Sequence, residues 1–515
     1  MLGLATLVDC DRWLQHAYRL QLRAAWMRGY RARMRRVDRQ LVLGLTLVAV
    51  GIFSLGAQTQ VPPAAPELGS ATADPTSLGV TIPGSFLGFS HEWSGGQELM
   101  GNPATATNPV YRQLIQNLLA YGAGPFVVRI GGNSTDRTGE PQPDTTSPFA
   151  QLYADLGVQF TLGVNLGGGD PNLAADQARA YVQGMPAGSL TAIEIGNEPD
   201  LYHANGDRPA SYDYADYARD FATWRSAISP SLAAGVGLMG PSWSSAASLR
   251  DLDQFLDQEA PNLALVSHHW YAGTQCNGRT NPPDYLLRPE SATSGANAVR
   301  SAVALAHVRS LPFRMGEMNS ISCGGEPMVS DTFASALWAA DTMFELANAG
   351  VDGVNIHTGN GGAYALFTFD RPTATSGFVL TSVRPSYYGL LFFQQAAPAG
   401  SRLVVVSTTT SANLKVWCSE DASRVLRVAA INKDQAAGGT LQLQVPSSSA
   451  ASLVRLQAPS LESQTGVTLG GQTFDHSPDG TLQGVESTET VVPAVDGSYT
   501  FVLPPLSAAL LTTGP

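Results

Sequence analysis

Eight short apolar runs recur between residues 85 and 359, and each gives way to a stretch with helical spacing or a loop rich in glycine, asparagine or proline. They are Ser85–Trp93, Pro125–Gly132, Gln159–Leu166, Leu190–Pro199, Val236–Trp243, Leu263–Tyr271, Pro312–Ser320 and Val351–Gly359. Amphipathic patterns such as Tyr212–Ile228 and Thr332–Ala349 fill the intervals. Continuous apolar runs of this length suit parallel strands covered on both faces. Eight strand–helix units in roughly 300 residues predict an α/β chain built as a (β/α)8 TIM barrel. A doubly wound open sheet would carry a glycine-rich turn near its first strand, and this chain has none there.

Beyond Tyr387-Tyr388-Gly389-Leu390 and one last helix the period changes. Leu403–Val406, Leu414–Cys418, Val425–Ile431, Leu441–Val445, Leu453–Leu456, Tyr499–Leu503 and Leu506–Leu511 are short strand-like runs parted by polar turns. They predict an all-β sandwich. The expected divisions are an N-terminal extension with signal peptide over 1–57, a Pro-, Ala-, Thr- and Ser-rich linker over 58–77, the barrel over 78–385 and the sandwich over 386–515, joined by a strand from 78–83.

Charge is segregated. Residues 1–40 hold nine arginines against Asp9, Asp11 and Asp38, a net +6, which leaves −18 on the remainder to reach the overall −12. An acidic body argues against a nucleic-acid partner. The apolar run Leu41–Leu55, preceded by arginines and followed by Gly56-Ala57, has the layout of a secretory signal and is short for a membrane span of roughly 20 residues. A secreted or periplasmic protein follows, with no membrane attachment after cleavage; an uncleaved anchor is the alternative. Read from Met34, the signal has an ordinary charged start.

Two carboxylates occupy matching places. Glu198 in Ile195-Gly-Asn-Glu-Pro-Asp200 ends the fourth run, and Glu317 in Arg314-Met-Gly-Glu-Met-Asn-Ser320 lies in the seventh. In a barrel both reach the C-terminal mouth, where active sites are built. There one can protonate a leaving oxygen while the other attacks, as in a retaining glycosidase. The acid needs a pocket that raises its pKa, and Asn197 beside it can donate to a neighbouring sugar hydroxyl. The nucleophile must be ionised. Arg129, ending the second strand, and the Tyr271 hydroxyl, ending the sixth, are placed to hold it so, unless Arg129 is only a structural bridge.

Arg129-Ile-Gly-Gly-Asn133, Ile195 to Tyr202, Ser267-His-His-Trp-Tyr271 and Gly316-Glu-Met-Asn-Ser320 together resemble family 79 of the glycoside hydrolases, the β-glucuronidase and heparanase group. Gly316 to Gly325 and Asn355 to Tyr364 are similar to its bacterial and fungal β-glucuronidase branch. The resemblance spans approximately residues 78–515. It implies Glu198 as acid/base and Glu317 as nucleophile of a retaining exo-β-D-glucuronidase that removes terminal β-glucuronic acid, with or without a 4-O-methyl group, from glycans or glycoconjugates. It also implies substrate contacts at Glu92, Asp136, Asn197, Tyr271, His357 and Tyr364. The alternatives are loop caps for Glu92 and Asp136 and a satisfied core histidine for His357.

A uronate needs donors, yet the only lysines are Lys415 and Lys433, both in the β module. The expected receptor is therefore neutral: backbone amides around Cys323-Gly324-Gly325 and Gly361-Gly362, with the Tyr364 hydroxyl. Those glycines could equally serve only to make turns. His268 and His269 point to opposite faces of a strand and cannot chelate one ion together, so no metal or cofactor is expected. Asn133-Ser134-Thr135 fits a glycosylation acceptor but reads better as part of the site loop. Cys276 and Cys323 fall on adjacent loops, where a disulfide and two free thiols fit the spacing equally. Rival readings are an α-L-arabinofuranosidase, a β-xylosidase, an endo-acting heparanase or a non-catalytic glycan-binding protein.

Overall fold

The computed structural model describes residues 65–139, 145–370, 372–373 and 377–514. The expected signal segment lies outside the described residues. Leu87–Glu92, Val127–Gly131, Gln159–Val164, Leu190–Ile195, Gly237–Trp243, Leu263–Thr274, Phe313–Ser322 and Gly353–His357 form a closed, parallel eight-stranded barrel, in which each strand pairs with its neighbours in sequence and the eighth returns to the first. All eight expected strands are present. We number them one to eight in that order.

Eight helices follow them, Pro109–Leu119, Ser147–Leu156, Pro171–Gly184, Tyr214–Ile228, Leu252–Glu259, Pro289–His307, Phe333–Asn348 and Pro385–Ala396. Local chemistry sets where they begin. Asn108 and Asp170 accept hydrogen bonds from first-turn amides ahead of a proline, whose missing N–H costs nothing there. Asp213 and Asp216 close a capping box at the fourth helix. The eighth helix packs on the seventh and belongs to the barrel, so the boundary expected at 385 falls instead after this helix.

The C-terminal module is the expected all-β domain and differs from expectation only in its N-terminal strand. Its strands form one connected ten-stranded sheet, with Ala451–Gln457, Ser507–Thr512, Leu426–Asn432, Leu414–Glu420 and Arg402–Thr409 in sequence across it. The sheet curls over its own core, where Leu453 and Leu511 from one end join Tyr499 and Leu503 from the other. The expected linker is in part a strand. Glu67–Thr81 lies inside the sheet, antiparallel to Arg402–Thr409 and parallel to Gly439–Gln444. Its buried residues Leu68, Ala71 and Ala73 are small, so their alternation is easily read as low-complexity sequence.

Sheet and barrel meet at the seventh helix, Phe333–Asn348, which is buried along nearly its whole length. Trp417 stacks on Phe344 at 5.3 Å and 6°, and its Nε1 donates to Asp341 Oδ1 at 3.1 Å. Lys433 Nζ lies 2.5 Å from Asp341 Oδ2 with both side chains fully buried, and Lys415 Nζ lies 2.7 Å from Glu345 Oε1. Both lysines of the chain thus serve this seam. Lys433→Ala should strand the Asp341 carboxylate and destabilise the protein by about 3–5 kcal/mol. The double variant Lys433→Met/Asp341→Leu should recover most of that loss, measured as urea unfolding midpoints.

Candidate active site

The C-terminal mouth of the barrel converges on one guanidinium. Arg129, fully buried on strand two, donates Nε to Glu194 Oε2 at 2.7 Å, Nη1 to Glu317 Oε2 at 2.6 Å and to Ser90 Oγ at 3.0 Å, and Nη2 to Asn197 Oδ1 at 2.8 Å. Burial works against its charge, but Glu194 and Glu317 outweigh that and raise its pKa. Glu317, on strand seven, also accepts from the Tyr271 hydroxyl at 2.7 Å through its other oxygen, and His357 Nδ1 lies 3.4 Å away. Desolvation would push its carboxyl up; His357, Arg129 and His269, with the Tyr271 hydrogen bond, instead hold it well below the usual carboxylate range.

Glu198 sits just past strand four in the opposite environment. Burial raises its pKa, and the nearby carboxylates of Glu317 and Asp200 add to that against the pull of His269. One oxygen of Glu198 and one of Glu317 lie within 4.8 Å. The Glu198 backbone is left-handed, with φ 48° and ψ 53°, an uncommon conformation for a residue with a side chain. Its amide donates to Ser242 O at 3.1 Å, which ties the strand-four loop to strand five.

The structure adds two groups that sequence reasoning passed over. Glu194, fully buried on strand four, accepts from Arg129 and, through Oε1, from Ser242 Oγ at 2.6 Å. His269, also fully buried, places Nδ1 3.1 Å from Glu198 Oε1 and Nε2 3.6 Å from Glu194 Oε1. Burial and Arg129 oppose its protonation, but Glu194, Glu198 and Glu317 push it up to about 9. Along its own strand His269 has no carboxylate partner; strand pairing supplies one, because it lies beside Glu317 across strands six and seven. Glu194 carried a signal, since a carboxylate inside a buried parallel strand requires a partner. Glu198, His269 and Glu317 are the cluster here that a cation could reach, but Glu317 is already held by Arg129 and Tyr271 and His269 by Glu198.

The remaining expected residues divide. His357 Nδ1 lies 3.1 Å from Ser90 Oγ, and its Nε2 is 3.9 Å from Glu92 Oε1. Glu92 accepts from the Ser134 amide and hydroxyl through Oε2. Gly132, at φ 73°, makes room for that carboxylate, whose oxygens a Cβ would approach to 2.5 Å. Asn133 Oδ1 accepts from Asn197 Nδ2 at 3.1 Å. Tyr364 stacks on Tyr271 at 6.2 Å and meets His357 edge-on at 5.8 Å. Gly324 O accepts from the amides of Ala363 and Tyr364, and a Cβ on Gly324 or Gly361 would meet nothing within 4 Å. Cys276 and Cys323 form a disulfide, with Cα atoms 5.5 Å apart, that joins the loops after strands six and seven.

Asp136 departs from its expected place on the substrate. Oδ1 accepts from the amides of Leu166 and Gly167, and Oδ2 from the Asn197 amide at 3.1 Å and the Tyr202 hydroxyl at 2.7 Å. Both oxygens are committed to bracing the loops after strands three and four. Burial raises its pKa to about 6 despite these donors.

Residues 416–510 match the glycosyl hydrolase family 79 C-terminal beta domain. A β-glucuronidase of Aspergillus niger is 25% identical over 87% of this chain and 94% of its own length, and one of Neurospora crassa is 25% identical over 67% and 69%. The chain thus carries a C-terminal module matching that of glycosyl hydrolase family 79 and is similar to β-glucuronidases along most of its length. Among solved structures, a 4-O-α-L-rhamnosyl-β-D-glucuronidase from Fusarium oxysporum superposes with a TM-score of 0.70 at 21% identity, over 87% of this chain and 99% of that one. A family 51 arabinofuranosidase from Xanthomonas axonopodis pv. citri gives 0.64 at 15% identity, over 87% and 100%. Such distant likenesses establish the barrel fold, and the chain is a glycoside hydrolase.

If Asp136 is a brace, Asp136→Asn turns an amide NH2 toward backbone donors. It should lower stability by about 1–3 kcal/mol, read as a shifted urea midpoint, whatever its effect on substrate.

Proposed function

We propose that this glycoside hydrolase is a family 79 enzyme, a retaining β-D-glucuronidase that removes terminal glucuronic acid by double displacement. The observation that carries this is the carboxyl pair: oxygens of Glu198 and Glu317 within 4.8 Å, one carboxyl raised and the other depressed in pKa. Retaining enzymes place such carboxyls about 5–5.5 Å apart, with too little room for a water between nucleophile and sugar. Glu317, ionised and oriented by Arg129 and Tyr271, attacks the anomeric carbon as the glycosidic C–O bond breaks. Glu198 gives its proton to the departing oxygen. It then takes a proton from water as that water attacks the same carbon and releases Glu317. Cationic His269, in contact with Glu198, stabilises the carboxylate formed in the first step. Asn197 Nδ2 retains one N–H for the sugar hydroxyl beside the reacting carbon.

The uronate carboxylate has neutral donors to meet. Tyr364 stands against Tyr271 and His357, and Gly324 and Gly361 leave open space on the same loops. Arg129 is fully engaged elsewhere. The names of the Aspergillus and Neurospora relatives support the same sugar. We propose secretion as well: a disulfide at the site mouth suits an oxidising compartment, and no described helix is long and apolar enough to cross a membrane.

Glu198 acts as an acid only while protonated, so kcat/KM on a β-glucuronide with a poor leaving group should fall as pH rises through its raised pKa. Glu198→Ala should abolish that basic limb, spare activated aryl glucuronides and yield β-glucuronyl azide in azide. An α-configured first product by NMR would overturn retention and the role of Glu317.

Tyr364→Phe should remove a charge-assisted hydrogen bond of about 1.5–3 kcal/mol. kcat/KM on an aryl β-glucuronide should drop roughly ten- to hundredfold, with no matching loss on the aryl β-glucoside.

A further inference from the structure

Glu194 reaches the acid/base residue by two routes. The first is through Ser242, whose hydroxyl donates to Glu194 Oε1 at 2.6 Å and whose carbonyl accepts the Glu198 amide at 3.1 Å. Ser242 is itself left-handed, with φ 56°, so this route fixes the backbone of the acid. The second runs through a side chain. Glu194 Oε1 lies 3.6 Å from His269 Nε2, and Nδ1 on the other side of the ring lies 3.1 Å from Glu198 Oε1. A fully buried imidazole thus stands between two carboxyls.

The state of that ring decides where the acid's proton points. Nε2 is buried with no hydrogen-bond partner among the described residues, and at 3.6 Å Glu194 is too far for a direct bond. A bare lone pair turned on a carboxylate would be repelled there, whereas an N–H is attracted. Nε2 therefore keeps its hydrogen. In a neutral imidazole that hydrogen would be the only one, and Nδ1 would then draw the Glu198 proton onto itself, away from substrate. In the doubly protonated ring Nδ1 donates to Oε1, and the acid's proton stays on Oε2. The titratable groups facing the ring are Arg129 from strand two, Glu194 and Glu198 from strand four and Glu317 from strand seven, with His268 beside it on its own strand. Burial and Arg129 oppose the second proton, but the carboxyls, Glu194 first, prevail and the ring titrates at about 9. Burial also disfavours the charge on Glu194, yet Arg129, with His269 and Ser242, holds that carboxyl below its ordinary value.

Resting on the glucuronidase reading, we propose that Glu194 is a positioning residue of the acid: held between Arg129 and Ser242, it keeps His269 protonated on both nitrogens, so that Glu198 offers its proton to the departing oxygen and not to the ring. As the glycosidic C–O bond breaks, that proton passes to the leaving oxygen and the new Glu198 carboxylate faces Nδ1–H. When Glu198 next takes a proton from the attacking water, the ring is unchanged. His269 gives up no proton in either step.

Neutron diffraction of the wild-type enzyme near neutral pD should show deuterium on both nitrogens of His269. A single deuterium on the ring overturns the proposal without recourse to any variant. Glu194→Gln removes the charge at nearly constant volume. Its kcat/KM near neutral pH should fall at least about tenfold further on methyl β-glucuronide, whose leaving group needs the proton, than on dinitrophenyl β-glucuronide, whose leaving group does not. The methyl glucuronide activity should recover as pH falls and the ring regains its second proton. Equal losses on the two substrates at every pH would mean that Glu194 acts through Arg129 on Glu317, and would overturn the role while leaving the glucuronidase intact. A wild-type enzyme that turns over neither glucuronide overturns the activity itself and the role with it.

Discussion

Everything at the mouth of this barrel is arranged around a buried cation. Arg129 has no access to water, and an unpaired guanidinium there would cost several kcal/mol. Glu194 and Glu317 offset that cost, and Asn197 and Ser90 complete the hydrogen bonding. The arrangement has a chemical result beyond stability. Glu317 is kept charged despite burial, while Glu198, out of Arg129's reach, is raised by desolvation against the pull of His269. His357 and Arg129, placed at one glutamate and not at the other, separate the two carboxyls into the states that the proposed double displacement requires.

Much of this was legible in the sequence because the strands are both apolar and evenly spaced. The barrel and the two terminal glutamates follow from period and punctuation alone. The signals that failed were short or ambiguous. Leu68, Ala71 and Ala73 alternate as a strand should, but such small side chains look like linker composition. Asp136 lies near a strand end where substrate-binding residues gather, yet nothing in the sequence says that its four acceptor sites would be consumed by Leu166, Gly167, Asn197 and Tyr202. Along its own strand His269 has only His268 beside it, whereas its partners come from strands four and seven. Pairing across strands is set by register, which a single sequence does not display.

The curled sheet does more than cap the barrel. Its interior strand Glu67–Thr81 precedes the first barrel strand in sequence and pairs with strands that follow the last, so the sheet is drawn from both sides of an unbroken barrel segment. The seventh helix takes up the consequence, being covered by barrel on one side and sheet on the other. A polar group placed there needs a specific partner from the sheet, and Lys433 supplies it.

That seam also governs how the protein can be handled chemically. The sequence holds two lysines; Lys433 is sealed from solvent, and Lys415 exposes about a third of its side chain while bound to Glu345. Amine-directed coupling to a resin, dye or crosslinker therefore finds almost no lysine handle on this surface. Where it does react, it removes a cation that fastens sheet to barrel. The 42 acidic residues offer the natural alternative, but carbodiimide activation would have to proceed with substrate in place, because the carboxyls with raised pKa, Glu198 among them, are those most readily protonated for that chemistry.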